Sequence, residues 1–274
     1  MLRLEKDNGW ILITHPAHGK LAGHFAAAWG NETFLHPEPI DLVNLGVTHH
    51  DDAWAVRDAD PFVTREGLPS AFSKELVGTY DSFEEIDMAD YLAVRGAAAE
   101  KVAEHAAYSA ILVSMHTHNL LTAHVDPATL TEDQAGQLDT FLKEQTARRV
   151  AWIEACSTDP KLTANATPEA LQWGFEFLQA CDSLSLIACV GYQEPIFLQH
   201  EHPMADGSKT KVRCEHLGEH RFHLDPLPFQ GSEQSFSVPY RFVKGIEFQD
   251  NDALRRAWHA APEQMLEISF CKRS

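Results

Sequence analysis

The chain changes character along its length, from helical spacing of its hydrophobic residues to strict alternation. Apolar residues at intervals of three and four predict helices over residues 15–30, 39–54, 95–122, 134–156 and 168–190. The stretch 55–92 lacks this period and is rich in Asp, Pro, Gly and Ser, so we expect a long loop there, a candidate lid. Beyond residue 210 the apolar positions alternate, which predicts strands, interrupted by a short helix over 251–260.

These periods predict a mainly α fold, with a helical core and a small C-terminal β-rich appendage, α+β overall. We assign residues 1–200 to the helical domain and residues 201–274 to the strand-rich extension, which we expect to pack on the same body. Residues 1–14 alternate weakly and predict a strand that enters the first helix. With 274 residues, 44% of them hydrophobic, the chain is long enough to bury a sizeable core.

Composition narrows the choice of partners. Asp and Glu number 40 against 22 Lys and Arg, a formal charge of −18. Such a surface argues against binding to a nucleic acid polymer or to an anionic membrane, because both attract cationic proteins. The sequence has no apolar run of membrane-spanning length and no visible signal peptide, and its five scattered cysteines indicate reduced thiols, so we expect a cytoplasmic protein. The acidic surface suits a monomer or a dimer and leaves the oligomeric state open.

Common catalytic motifs are absent, since the sequence has no GxxxxGK[ST], GxGxxG or GxSxG string. One segment, His216–His220, matches the HxxEH string of inverted zincins. That motif requires a helix, so that both histidines share a face. Here a glycine interrupts the string and both flanks alternate, which predicts a hairpin instead of a zinc site.

Four predicted helices each place an ionisable group on an apolar stripe. The groups are His18, His50 with Asp51 beside it, His116 and Asp182. A buried imidazole or carboxylate is costly unless it is paired or coordinated. We find no arginine on matching stripes, so a divalent metal ion is the expected partner. Two neutral imidazoles and two carboxylates give zero net charge around such an ion.

Within this set, His18, His50, Asp51 and Asp182 are the predicted metal ligands. Four protein ligands leave two octahedral positions for water and a substrate oxygen, which is typical of a catalytic site. His49 lies on an equally plausible apolar stripe, and the adjacent Asp51 favours His50.

The order of these residues resembles the HD superfamily of metal-dependent phosphohydrolases, whose helical core carries ligands in the order H…HD…D. The segment LGVTHHDDAW resembles the HD element itself and supplies His50 and Asp51. HGKLAGHFAAAWG resembles the element with the first histidine, His18, and QACDSLSLIAC resembles the helix with the last aspartate, Asp182. SMHTHNL resembles the intermediate histidine region and corresponds to His116.

More closely, the strings HGKLAGHFAAAWG, HHDDAW with RDADP, and GLPSAF are similar to an uncharacterised, mainly bacterial HD-like family. That family is catalogued only as a domain of unknown function, number 3891. The similarity extends over most of the chain, including the strand-rich tail. It implies an HD-like core and a metal site, but no substrate.

The resemblance implies a metal-dependent hydrolase that acts on a phosphate ester or a similar small anionic molecule through metal-activated water. The ion would be Mn²⁺, Fe²⁺, Ni²⁺ or Zn²⁺. His116 would stabilise or protonate the leaving group, and Asp52 would orient the water. Arg57 and Lys20, by proximity in the sequence, and His118 are the candidates for binding the anion.

Two alternatives remain open. Some proteins of HD fold use two irons and dioxygen, and a di-iron oxygenase of that kind requires further ligands. His105, His116, His118 and His124 are available, although their spacing does not clearly match. The other alternative is a non-catalytic protein that binds a metal or a metabolite and reports its presence to a partner.

Overall fold

The computed structural model describes residues 1–77, 87–123 and 125–272. Its helices are α1 (His15–Ala28), α2 (Ile40–His49), α3 (Ala55–Asp58), α4 (Met88–Ala103), α5 (Ala107–Ala123), α6 (Glu132–Thr158), α7 (Pro168–Val190) and α8 (Asn251–Ala260). Its strands are β1 (Leu2–Lys6), β2 (Gly9–Ile13), β3 (Ile196–Phe197), β4 (His202–Pro203), β5 (Lys209–Thr210), β6 (Arg213–Gly218), β7 (Arg221–Asp225), β8 (Glu233–Lys244) and β9 (Glu263–Cys271). His124 and part of the predicted 55–92 loop lie outside the described residues.

Seven strands form one sheet in the order β1-β2-β8-β9-β7-β6-β3, and β4 pairs with β5 separately. Neighbouring strands are antiparallel except β7 and β9, which are parallel. The long ladder between β8 and β9, with Val238 opposite Leu266, forms the centre of the sheet. The N-terminal hairpin of β1 and β2 joins it along β8, where Trp10 pairs with Val243.

This sheet shows that the predicted fold class, a mainly α fold with an HD-like helical core and a small C-terminal β-rich appendage, is wrong. The fold is α+β, about half helical, with a curled seven-stranded sheet that spans much of the chain. Strands from both ends of the chain build the sheet, so it contains residues from both sides of the predicted domain boundary at residue 200. A strand was predicted within residues 1–14, and the structure has two there, β1 and β2. What the prediction missed is that they join the C-terminal strands, because the fully buried run Gly9–Ile13 does not identify its partner strand.

Both faces of the sheet are covered. On one face α1 packs through Phe25, whose ring centroid lies 4.8 Å from that of Phe236 and 5.1 Å from that of Phe270. On the other face, Trp10 of β2 belongs to a second apolar cluster with Trp258 of α8. Burial of these large aromatic side chains fixes the helices to the sheet.

The predicted helices are confirmed in position, with two differences. The segment 95–122 is not one helix. It contains the end of α4, which begins earlier, and most of α5, and residues 104–106 between the two are not helical. The predicted 39–54 helix ends at His49 and continues as a short 3₁₀ turn over Asp52–Trp54. Asp51 therefore lies between two helical segments, and the helical spacing of neither segment sets the direction of its side chain.

The HxxEH segment folds as the predicted hairpin between β6 and β7. Glu219 and His220 at its tip both have a left-handed backbone, with φ of 48° and 57°. The two histidines of the string therefore do not share a helical face, and the zincin interpretation has no structural basis.

The helices and the cysteines of the described structure bear on the class of protein. No helix within the described ranges has the length and apolarity needed to cross a membrane. All five cysteines are free and buried, as expected for reduced thiols. Burial raises the pKa of the Cys189 thiol, for example, which keeps it protonated and unreactive.

Close packing of α1 on α2 brings the first two histidines of the predicted site together. A Cβ atom at Gly23 would clash with the Thr48 side chain on α2, and one at Gly19 would lie 3.0 Å from the Thr48 carbonyl oxygen. Glycine at these positions lets the helices approach without strain. The rings of His18 and His50 consequently lie with their centroids 5.3 Å apart.

Candidate metal centre

His18 lies in the first turn of α1 and is anchored through Nδ1. The Ser185 hydroxyl donates to the carbonyl oxygen of Asp182 at 2.8 Å, so His18 Nδ1, 2.9 Å from Ser185 Oγ, is the donor in their contact. A neutral His18 therefore directs the lone pair of Nε2 at Asp51 Oδ2, 3.2 Å away. The side chain is buried, so this contact is made away from bulk water.

His50 follows the last residue of α2 and is anchored in the same way. Its Nδ1 lies 2.7 Å from the Val47 carbonyl oxygen, which can only accept a hydrogen bond, so the ring proton is on Nδ1. Nε2 faces Asp182 Oδ1 at 3.2 Å and Asp51 Oδ2 at 3.8 Å. It makes no hydrogen bond to any described residue, although the side chain is only 1% exposed.

Asp182 of α7 and His116 of α5 complete the cluster. Asp182 directs Oδ1 at His50 and Oδ2 towards His116 Nε2, which is 3.7 Å away. Nδ1 of His116 is buried and has no hydrogen-bond partner in the described part of the chain. The rings of His50 and His116 are nearly perpendicular, with centroids 5.5 Å apart.

The separations between these ligand atoms are close to those around a shared metal ion. Ligand atoms about 2.1 Å from one ion lie about 3.0 Å apart at octahedral angles and about 3.4 Å apart at tetrahedral angles. Two of the imidazole–carboxylate separations, His18–Asp51 and His50–Asp182, are 3.2 Å, and the other two are longer, at 3.7 and 3.8 Å. Two groups, His18 with His50 and Asp51, and His50 with His116 and Asp182, each bring ligand atoms within 4.8 Å of one another. They share His50, whose available nitrogen binds one ion, so they form two halves of one candidate site.

Arg95 of α4 is a residue of the site that the sequence analysis missed. Its Nη1 donates to Asp51 Oδ1 at 2.7 Å, its guanidinium lies 5.2 Å from the Trp54 ring centroid, and Nε donates to the Tyr91 hydroxyl. The expectation that no arginine faces the buried acids is therefore wrong for Asp51. The reason is that α4 begins at Met88, inside the predicted loop, so the stripe that carries Arg95 was not recognised.

Arg95 compensates one of the two buried carboxylates. Within the described ranges, Asp182 has ion-pair contacts with histidines and none with lysine or arginine. The charges of Asp51, Asp182 and Arg95 therefore leave the cluster one negative charge in excess, and burial makes a further positive charge strongly favourable. That charge is either a proton on a histidine or a metal ion.

Without a metal ion, His50 holds the proton. Burial acts to lower the pKa of His50, but the carboxylates of Asp51 and Asp182 outweigh it and raise the pKa to about 9. Burial acts to raise the pKa of Asp182, yet His50 beside it lowers that pKa overall. Burial lowers the pKa of His116 to about 4, so this ring is neutral. A divalent ion in place of the His50 proton would leave the centre with a net positive charge.

A cavity of about 480 Å³ lies over the cluster and is lined by Asp51, His116 and Asp182. A smaller cavity of about 140 Å³ also contacts His116 and Asp182. The wall of the larger one contains four arginines, Arg3, Arg57, Arg65 and Arg95, and three further acids, Asp58, Glu66 and Glu75. Together with Asp51 and Asp182 the acids outnumber the arginines by one, and the guanidinium groups are the lining groups suited to contact an anionic ligand.

Of the three residues predicted to bind substrate, the described structure brings Arg57 to the cavity. Arg57 is paired there with the exposed Asp90 at 2.6 Å, which competes with a substrate anion. Lys20 is exposed on α1, and His118 is half-buried on α5 near Arg149. Neither lines either of the two cavities over the cluster.

Asp52, predicted to orient the water, pairs with His49 Nδ1 at 2.6 Å and does not line the cavity. The same contact keeps His49 away from the cluster, which favours His50 as the candidate ligand. The His49 side chain is 36% exposed and engaged with Asp52, whereas His50 is buried in the cluster. The structure thus brings His18, His50, Asp51, His116 and Asp182 together, and their roles stay predictions.

Sequence reasoning also assigned no role to His15 and Asp58, which line the cavity. A signal was present for both. His15 lies one helical turn before His18, and Asp58 belongs to the RDADP string that follows the HD pair.

The fold and this cluster define an α+β protein with a candidate metal centre beneath a cavity. The family described as "Protein of unknown function (DUF3891)" matches residues 1–245, and the chain therefore belongs to that family. No curated protein matches the sequence, and no solved structure matches the fold.

Proposed function

We propose that this protein is a metal-dependent hydrolase of the HD type, acting on a phosphate ester or a similar small anion. The observation that carries the proposal is the convergence of two imidazole lone pairs, Nε2 of His18 and Nε2 of His50, on carboxylate oxygens of Asp51 and Asp182. A lone pair that faces an anion in a buried site is unfavourable unless a cation lies between them. The order of these residues along the chain supports the HD assignment.

His18, His50, Asp51 and Asp182 would hold the ion. Imidazole nitrogen together with carboxylate oxygen suits Mn²⁺, Fe²⁺, Ni²⁺ or Zn²⁺. Such an ion, when bound, lowers the pKa of a water molecule and polarises the substrate. The anchoring of both Nδ1 atoms supports this role, because it fixes the ring orientation and leaves Nε2 as the ligand atom.

Two arginines have separate roles in this proposal: Arg95 orients a ligand, and Arg57 binds the anion. Arg95 holds Asp51 through Oδ1, so that Oδ2 alone faces the histidines. Arg57 at the cavity wall would bind the anion when it exchanges Asp90 for the substrate. Asp52, Lys20 and His118 have no part in this proposal because they do not line the cavity.

A di-iron oxygenase is the second enzymatic candidate, and the donor count disfavours it. The two ligand groups found in the described residues share His50, and neither His105 nor His118 belongs to them. A second ion would therefore have only His116 and Asp182 among the described residues as ligands that it does not share with the first. The number of bound ions per chain distinguishes this candidate from the hydrolase.

Elemental analysis of the full chain, purified without chelator, tests the proposal when it is combined with a panel of phosphate esters. We expect about one divalent ion per chain and metal-dependent phosphate release from at least one ester. Asp182→Asn and His50→Gln should lose the ion, whereas His49→Gln, the matched control on the neighbouring histidine, should retain it. Full retention of the ion in Asp182→Asn contradicts the assignment. Bound metal with no turnover on any ester favours a non-catalytic metal-binding protein instead.

A further inference from the structure

Two cavities of different character meet at the candidate metal centre. The cavity of about 480 Å³ and the smaller one of about 140 Å³ are both lined by His116 and Asp182. They also share Phe72 and Leu186. Because two residues of the cluster belong to both walls, a ligand that is bound at the cluster can extend into either space.

The smaller cavity, unlike the larger one, has a mainly apolar wall. Apolar side chains make up most of its lining, among them Leu120, Ile187, Ile196 and Leu198. No lysine or arginine of the described chain lines it, whereas four arginines line the larger cavity. An anionic group buried there would lack a cationic partner in the wall, so the lining suits an uncharged, apolar group.

Gln179 is a buried polar residue of this wall, and the protein itself satisfies its amide. Nε2 of Gln179 donates to Asn119 Oδ1 at 2.8 Å, and Oε1 accepts from His200 Nε2 at 2.7 Å. Both polar atoms of the amide therefore have partners, and Gln179 does not require a polar ligand. The two other neutral polar residues of the lining, Ser183 and Gln199, are less buried than Gln179.

The volume of the smaller cavity indicates the size of the group that it can hold. An apolar protein cavity of about 150 Å³, lined by Leu, Ile and Phe, stays dry and binds benzene. The smaller cavity has a similar volume, about 140 Å³, and the same residue types predominate in its wall. A group of the size of a benzene ring therefore fits it.

We propose that the smaller cavity is a substrate subsite, which binds a compact apolar group carried by the anionic substrate. The anionic end lies at the cluster, on the side of the arginines, and the apolar end occupies the smaller cavity in contact with Ile196. This inference rests on the proposed function and names its substrate class, the phosphate ester of a phenol or of an alcohol with a similarly small hydrocarbon group.

Binding of benzene to the full chain in EDTA tests the subsite without metal or turnover. Ile196 lines the smaller cavity and not the larger one, so Ile196→Trp should fill the smaller cavity alone. We expect saturable binding in NMR titrations of the wild type, and affinity at least about tenfold lower in Ile196→Trp. Leu217→Trp, at an exposed position on β6 next to β3, is the matched control and should bind benzene like the wild type.

Two phosphonates, which contain no ester bond to hydrolyse, connect the subsite with the metal centre. Calorimetry on the Zn²⁺- or Mn²⁺-loaded full chain should show phenylphosphonate binding about a hundredfold more tightly than methylphosphonate, because its ring is buried in the subsite. Ile196→Trp should remove this difference, and Leu217→Trp should preserve it. Ile196→Ala enlarges the cavity instead, and should shift the preference from phenylphosphonate towards 1-naphthylphosphonate by about tenfold. EDTA should weaken the binding of every phosphonate.

The outcomes separate the subsite from the proposed function. Absence of saturable benzene binding, or equal affinities of the loaded wild type for phenylphosphonate and methylphosphonate, would overturn the subsite alone. A folded Ile196→Trp variant that keeps the wild-type preference for the ring would also overturn it. Phosphonate affinities that are the same in metal and in EDTA would overturn the proposed function, which requires the anion to lie at the metal.

Discussion

Nε2 of His50 lies 3.2 Å from Oδ1 of Asp182 and yet makes no hydrogen bond within the described part of the chain. The proton of a neutral His50 ring is held on the opposite nitrogen by the Val47 carbonyl oxygen. The pair is therefore satisfied only when a cation, a proton or a metal ion, is added to it. Experiments in solution can distinguish these two occupants.

A divalent ion should stabilise the wild-type fold, and this stabilisation should depend on His50. At a free metal concentration of about 100 times Kd, binding adds about 2.7 kcal/mol to the free energy of unfolding. Urea unfolding with Zn²⁺ or Mn²⁺ and with EDTA measures the difference. We expect His50→Gln to abolish it and His49→Gln to preserve it. An equal stabilisation of His50→Gln would show that the ion binds elsewhere.

The metal-free protein should lose stability as the pH rises from about 6.5 to about 9. The pKa of His50 in the folded chain is raised to about 9 from its ordinary value of 6.5. A raised pKa stabilises the fold fully below the lower value, and this stability is lost as the pH rises through the higher one. The change should be on the order of 3 kcal/mol in EDTA and absent in His50→Gln. A saturating metal ion should remove it, because the ion replaces the proton.

Removal of Arg95 should destabilise the metal-free protein more than the loaded one. Arg95→Gln leaves Asp51 as an uncompensated buried charge, which costs about 3–5 kcal/mol. A bound ion contacts the other oxygen of Asp51 and recovers part of this loss. Arg95→Lys keeps the charge but loses the contacts with Trp54 and Tyr91, so an intermediate effect is expected. The same loss in EDTA and in metal would exclude an ion next to Asp51.

Gly23→Ala should weaken metal binding without changing any ligand. Its methyl group would clash with Thr48, separate α1 from α2 and so move His18 away from His50, at a cost of about 1–3 kcal/mol. Gly136→Ala on α6 is the matched control, because a Cβ there meets nothing within 4 Å. We expect the control to be neutral or slightly stabilising. Metal titration and urea unfolding of both variants check this, and unchanged metal affinity in Gly23→Ala would contradict it.

The ligand candidates could be predicted from the sequence because each lies on a regular apolar stripe. His18 and Asp182 lie on buried faces of α1 and α7, where periodicity alone identifies the inward positions. The partner of Asp51 lies on such a stripe as well, but it was missed because the predicted helix began only at residue 95. Arg95 follows Met88 and Leu92 at helical spacing on the buried face of α4, and the packing of α4 on the cluster brings it to Asp51, 44 residues away.

The sheet escaped prediction for a related reason. Alternation identifies a strand but not its partner, and Trp10 of β2 pairs with Val243 of β8 across most of the chain. Burial of β2 on both faces left only a weak alternation in the N-terminal segment. The C-terminal strands, by contrast, have one polar face and were predicted, although their sheet extends to the N-terminal hairpin.

The most direct test of the metal centre is an anomalous-difference map from crystals of the full chain grown with Mn²⁺ or Zn²⁺. We expect one peak per chain, about 2.0–2.2 Å from Nε2 of His18, Nε2 of His50 and the nearer carboxylate oxygens of Asp51 and Asp182. A cluster with no peak, in which His50 Nε2 instead makes a direct hydrogen bond to Asp182, would contradict it.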